Sequence, residues 1–228
     1  MRFLRLPNHL THGLSLIGII ALMIILTGAA VTQAEWTTGL ITIPIAGLIA
    51  VAAGTLLSKS IFSSFTAHLY SLIYGMFSIT YLLGRGMDEA MPWRERIFEI
   101  VVRQLAWFQA VVIENEASRD ASVFVAQTAI IFWVLGYSAS WFTLRRPRLW
   151  RAILPNGFVL LSIVYYYSGP DTTRMLLYLV SYVILALLYI SRTHLLEEEI
   201  SWQQNIVKYE SGIRGFFLRN ALLSLIHI

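Results

Sequence analysis

Residues 123–151 read VFVAQTAIIFWVLGYSASWFTL and then RRPRLWR, and this stretch decides the fold. Its first 22 residues contain no Asp, Glu, Lys or Arg, and an apolar helix of about 20 residues is what crosses a hydrocarbon core of about 30 Å. The next seven residues include four arginines, and cytoplasmic loops carry the excess of Lys and Arg. The stretch therefore predicts a membrane span and the side on which it ends.

The same unit, an apolar run closed by a short polar loop, occurs six times along the chain. The predicted spans are residues 14–30, 40–57, 65–83, 123–144, 152–167 and 175–190, and a further apolar run that begins at Gly215 is cut short. Only helices and closed barrels satisfy their backbone groups in lipid, and 57% of the residues are hydrophobic. The sequence predicts an all-α polytopic membrane protein: six complete spans and a truncated seventh, in one multi-span anchor domain of residues 1–222.

The first span has a second interpretation. Arg2 and Arg5, followed by an apolar run and then by Gly28, Ala29 and Ala30, are also the pattern of a signal peptide. We favour a retained anchor, because the run is long for a signal peptide and further spans follow it.

The charges orient the predicted bundle. With the N-terminus inside, the inner segments hold 11 of the 17 basic residues and four of the 13 acidic ones, whereas the outer segments hold six basic and nine acidic residues. The densest basic cluster consists of Arg145, Arg146, Arg148 and Arg151. We expect a cytoplasmic N-terminus, a location in a bacterial cytoplasmic membrane, and the lipid bilayer as the partner that explains the net positive charge without any nucleic acid.

Residues 84–120 form the only long outer segment, and we predict an amphipathic helix within it. From Trp93 onward, apolar residues recur at helical spacing through Ile97 to Phe108 and beyond, and Pro92 precedes the first turn. One interpretation is that this stripe packs onto the spans or lies in the headgroup layer. The other is that it forms a docking platform for an extracytoplasmic domain.

The spans offer little chemistry. They contain no Asp, Glu, Lys or Arg, and the chain has no cysteine, so a transporter's intramembrane ionisable site and a thiolate nucleophile are both missing. His68 is interpreted as an interfacial or hydrogen-bonded histidine, and the sequence at Pro155 to Gly157 predicts a break or kink in the fifth span. We predict no catalytic residue, no cofactor site and no metal site in this chain.

Several segments together resemble the N-terminal membrane region of bacterial TgpA-type transglutaminase-like proteins. The likeness is best over about residues 130–210 and rests on the basic turn with Trp150, the span opening Leu154-Pro155-Asn156-Gly157, the outer turn at residues 165–170, and the exit RTHLLEEE at residues 192–199 followed by Trp202. In that family an extracytoplasmic domain with a Cys-His-Asp triad follows the membrane region. The resemblance implies that this chain is the membrane anchor of such a domain, in cis, and that it carries none of the triad.

The expected chain end follows from the last six residues. Residues 223–228, LSLIHI, are what a sequencing-adapter transposon end would encode, so we interpret them as read-through and the chain as a fragment. A stand-alone membrane scaffold or assembly protein is the main alternative, and a small transporter is the weaker one.

Overall fold

The computed structural model describes residues 8–117 and 120–204, and in that part of the chain every regular element is a helix. The helices are α1 (Asn8–Gln33), α2 (Thr42–Ser58), α3 (Ser64–Arg85), α4 (Trp93–Phe108), α5 (Ala121–Leu144), α6 (Leu149–Tyr166) and α7 (Thr172–Gln204). A short π-helical turn, Gln109–Ile113, continues α4. The predicted all-helical fold is confirmed.

A helix covers each of the six predicted spans, and four of them are long and apolar enough to cross a membrane. The four segments are Gly13–Gln33, Ala121–Leu144, Leu149–Tyr166 and Thr172–Glu198. Helix α2 is apolar but has 17 residues. Helix α3 has 22 residues, but its tyrosines, its serines and His68 lower its hydropathy.

One detail of the prediction needs correction, because helix α6 runs through Pro155 without a break. A proline removes a single N–H group, and the flanking residues Ala152, Ile153 and Leu160 are buried against the bundle. A kink at Pro155 stays a prediction. Helix α7 continues beyond the predicted span, which ends at residue 190, to Gln204, since no Gly or Pro interrupts the polar stretch that follows the span. The truncated seventh span and residues 223–228 lie outside the described residues.

Helices α2 and α5 form the centre of the bundle and approach each other through small residues. A Cβ atom on Gly136 would lie 2.4 Å from the Gly47 carbonyl oxygen, and one on Gly54 would lie 2.9 Å from the Tyr137 carbonyl oxygen. Ser140 donates a hydrogen bond of 3.2 Å from α5 to the Val51 carbonyl of α2. Such close contact between backbones is how helices associate where there is no water to drive them together.

The other helices surround this pair unequally. Helices α1 and α6 contact α5, and α7 lies outside them, in contact with α1 and α6. On the opposite side, α3 contacts α2 and α5, and α4 contacts only α3 and α5 among the helices. Helices α3 and α4 therefore have few helices packed against them, and we call this side of the bundle the α3–α4 margin.

Candidate functional site: the two ends of the bundle and the α4 surface

One end of the bundle collects basic side chains, and we call it the basic end. It contains the α2–α3 loop, the α5–α6 loop, the start of α1 and the Arg192 region of α7. These segments meet in space, since Arg192 Nε lies 3.5 Å from Ser15 Oγ and a Cβ atom on Gly13 would lie 3.0 Å from the Leu144 side chain. Its basic residues are Lys59, Arg145, Arg146, Arg148, Arg151 and Arg192.

Arg145 ties two loops of the basic end together. Its guanidinium donates hydrogen bonds to the carbonyl oxygens of Leu57 and Ser60, both at 3.3 Å, and to that of Phe62. It also lies over the Trp141 ring, 4.9 Å from the centroid. A cation that satisfies carbonyls at a helix C-terminus stabilises that end, so Arg145 caps α2 as well as contributing to the charge pattern.

The other three arginines of the predicted cluster are exposed. Arg146 and Arg148 project from the α5–α6 loop, and Arg151 lies 5.6 Å from the centre of the Phe142 ring. The structure thus separates the cluster into one structural arginine and three that face solvent or a membrane surface.

The opposite end, which we call the acidic end, contains the α1–α2 loop, residues 86–120 and the α6–α7 turn. Arg174 of α7 donates a hydrogen bond of 2.8 Å to Gln33 of α1, so these segments are also adjacent. With Arg85 at the end of α3 and Arg174 at the start of α7 included, the described residues there comprise five basic and nine acidic ones. The acidic residues are Glu35, Asp88, Glu89, Glu95, Glu99, Glu114, Glu116, Asp120 and Asp171.

Arg96 fixes α4 on this end, and sequence reasoning missed it by treating it as one more outer charge. Its side chain is 8% exposed and donates hydrogen bonds to the carbonyls of Gly84 (3.0 Å), Glu89 (2.9 Å) and Met91 (2.8 Å). Arg96 also lies over Trp93, 5.0 Å from the ring centre. A planar donor fork suits several carbonyls at once; the only sequence signal is an arginine one turn into an amphipathic helix.

The apolar stripe of α4 is present but mostly uncovered. Trp93 stacks on Tyr81 with ring centres 5.3 Å apart, and Ile100 is buried. In contrast, Ile97 is 46% exposed and Phe108 is 51% exposed. The stripe as a whole therefore does not pack onto the spans, which was one of the expected arrangements. The headgroup layer and another protein domain remain as the surfaces that could cover it.

The interior polar groups serve mainly helix packing. Tyr182 donates a hydrogen bond of 2.6 Å to the Ile153 carbonyl, and the hydroxyls of Thr143 and Tyr189 are 2.8 Å apart. His68 Nδ1 is 2.8 Å from the Tyr137 hydroxyl, which agrees with a hydrogen-bonded histidine. Within the described part of the chain, no three His, Asp or Glu side chains group as metal ligands.

No family model, curated protein or solved structure matches this chain. Function must therefore be argued from the charge distribution and from the exposed surfaces.

Proposed function

We propose that this chain is a membrane-anchoring domain with six spans, a cytoplasmic N-terminus and its basic end at the inner surface of a bacterial cytoplasmic membrane. The observation that carries the proposal is the separation of basic and acidic loops to opposite ends of an apolar bundle. Anionic lipid and the insertion machinery both favour basic residues on the cytoplasmic side.

Helices α2 and α3 complete the six spans. Helix α2 ends at Ser58, beside Arg145 of the basic end, and α3 begins within that same loop. Helix α3 then ends at Arg85, where Arg96 binds the Gly84 carbonyl. Both helices therefore run between the same two ends as α5, and their shorter length or lower hydropathy is offset by the contacts each makes with α5.

We further propose that the domain anchors a transglutaminase-like domain located outside the membrane. Support comes from the TgpA-type pattern of residues in the basic turn, in the opening of α6 and in the exit from the last span. The full-length protein would then perform thiol-dependent acyl transfer or peptide cleavage, and this region would position that domain without contributing a catalytic group.

The orientation is tested by cysteine labelling, which has no background because the chain lacks cysteine. Asp88→Cys and Asp171→Cys, at exposed positions of the acidic end, should react with an impermeant maleimide in intact cells. Lys59→Cys and Arg148→Cys, exposed at the basic end, should react only after the cells are permeabilised. Labelling of the second pair alone in intact cells would invert the topology.

The enzymatic part of the proposal is tested on the gene. The reading frame should continue past Asn220 with about ten more apolar residues. It should then encode a domain with a cysteine that opens a helix and a later His and Asp or Asn, since the helix dipole lowers the thiol pKa and the later residues deprotonate and orient it. A frame without a Cys and a following His would leave the scaffold function in its place.

The uncovered α4 stripe fits a position in the headgroup layer, where its aromatic and aliphatic side chains would be embedded. Changing both Ile97 and Phe108 to Asp should detach α4 and raise the protease sensitivity of residues 84–120 while the spans remain inserted. Ala106→Asp, exposed on the other side of the helix, is the control and should leave the protection unchanged. Equal protection in the double variant would show that the stripe is not embedded.

A further inference from the structure

A groove with apolar walls lies at the α3–α4 margin, where α3 and α4 face α5. Its volume is about 360 Å³, and its lining includes Leu72, Gly75 and Leu83 of α3, Leu105 of α4, and Ile130 and Trp133 of α5. Glycine at position 75 lets the Trp133 ring pack directly against α3 at the wall of the groove, because a Cβ atom there would lie 2.8 Å from the Trp133 indole nitrogen. No described side chain fills it.

The length of the groove along α3 matches the thickness of one membrane leaflet. Leu72 and Leu83 are 11 residues apart on α3, which is about 16 Å at 1.5 Å per residue. Half of a hydrocarbon core is about 15 Å. The groove lies along the half of α3 that is nearer the acidic end, so in the proposed topology it is level with the acyl chains of the outer leaflet.

A polar cavity of about 510 Å³ adjoins the groove at the acidic end, and Leu83 lines both. Arg103 and Asp120 line this cavity as well. Arg103 Nε donates a hydrogen bond of 2.7 Å to Glu99, and Arg103 Nη1 lies 3.6 Å from Oδ2 of the Asp120 carboxylate. The hydrogen bond to Glu99 raises the pKa of Arg103, so the guanidinium stays charged.

The charges in this cavity complement a headgroup that carries both signs. The charged side chains that line the cavity are one guanidinium, Arg103, and one carboxylate, Asp120, so the two charges balance. The remaining N–H groups of Arg103 make no hydrogen bond in the described structure. Those N–H groups can donate to a phosphate. The carboxylate of Asp120 can accept from a primary ammonium, which has three N–H donors, as a lysine does, whereas a quaternary ammonium has none.

We propose that the α3–α4 margin, together with the facing side of α5, binds one phospholipid of the phosphoethanolamine class. The headgroup lies at Arg103 and Asp120, and one acyl chain lies in the groove. This inference rests on the proposed placement in a membrane, but its test in detergent does not depend on the orientation. The cysteine-labelling test of the topology and the lipid-binding test in detergent can therefore give opposite outcomes.

The test is native mass spectrometry of the full chain in detergent with equal amounts of palmitoyl-oleoyl phosphatidylethanolamine, phosphatidylcholine and phosphatidylglycerol. One phosphatidylethanolamine per chain should be retained, preferred by about tenfold, which is roughly the value of one hydrogen bond to a charged group. Equal retention of the three lipids in the unmodified chain would overturn the proposal, since that is the behaviour of ordinary exchanging lipid.

Two substitutions locate the binding site. Asp120→Asn keeps the acceptor that receives the Ser122 and Val123 N–H groups at the start of α5, and it should abolish the preference over phosphatidylcholine. Ile130→Trp should fill the groove and reduce lipid retention by at least about tenfold. Ile131→Trp is the matched control, because Ile131 is exposed to a similar degree, 48% against 52%, yet does not line the groove. A preference that survives Asp120→Asn, or equal retention in the two Trp variants, would place the lipid elsewhere.

Discussion

The α2–α5 interface and the α3–α4 margin are packed in opposite ways. Along α2 and α5, glycine and alanine bring the backbones together, and Phe132, between them, is 0% exposed. Along α3, Met76 is 66% exposed and Phe77 is 72% exposed, and a groove lies between α3, α4 and α5. Small residues close an interface between helices, whereas large residues facing outward leave space for lipid.

The two regions also use polar groups differently. Ser140 donates its hydrogen bond directly across the α2–α5 contact. In contrast, Arg96 of α4 donates to three carbonyls, one in the last turn of α3 and two in the loop that follows. Substitutions in the first region should therefore affect the whole bundle, and those in the second should act locally.

The largest effect is expected for Gly136→Leu. The new side chain would collide with the Gly47 carbonyl and with Ala50 and Val51, and even modest overpacking costs about 1–3 kcal/mol. The purified protein should lose its thermal transition in detergent. Gly18→Leu, at a helical glycine with open space around it, should keep a transition close to that of the unmodified chain; similar behaviour of both variants would mean that the α2–α5 contact is not the centre of stability.

Arg96→Met should release α4 without unfolding the bundle. Three carbonyls lose a charged donor, and a net cost of about 2 kcal/mol would raise the rate of proteolysis within residues 84–117 by about 30-fold through local opening. The exposed neighbour gives the control, Arg94→Met, for which the cleavage rate should stay near that of the unmodified chain. A fall in global thermal stability with no local change would contradict the local role.

Arg145→Met should weaken the basic end by about 1–2 kcal/mol, because the end of α2 and the α2–α3 loop lose their shared donor. A lower midpoint of thermal unfolding measures this. Arg146→Met removes the same charge from an exposed position and should change the midpoint little. If the two variants unfold alike, the contribution of Arg145 is only its charge.

The smallest effect should come from Ser140→Ala. Hydrogen bonds between helices in membranes average about 0.6 kcal/mol, so the midpoint should fall slightly but measurably in replicate melts. Ser162→Ala is the comparison, since Ser162 is exposed and donates within its own helix, to the Phe158 carbonyl. An equal change in both would show that the α2–α5 hydrogen bond adds nothing to packing.

The order and extent of the helices could be predicted from the chain alone. Long apolar runs closed by basic or turn-forming residues predict where each helix begins and ends, as at Ala121–Leu144, because the bilayer length and the cost of unpaired backbone groups act on local sequence. The start of α4 after Pro92 could also be predicted from the sequence. The rule that predicts a break at Pro155 fails, because it ignores the packing that holds α6 together on both sides of the proline.

Which residues serve structure and which are left for a ligand was decided only by the tertiary arrangement. Arg145 and Arg146 are adjacent and identical in type, yet one caps α2 and the other is exposed. Arg96 is buried among carbonyls of residues that precede it by 5, 7 and 12 positions. The groove between α3, α4 and α5 needs all three helices to form it. Such roles depend on which loop carbonyls and helix faces are brought within a few ångströms, and no periodicity along the chain encodes those distances.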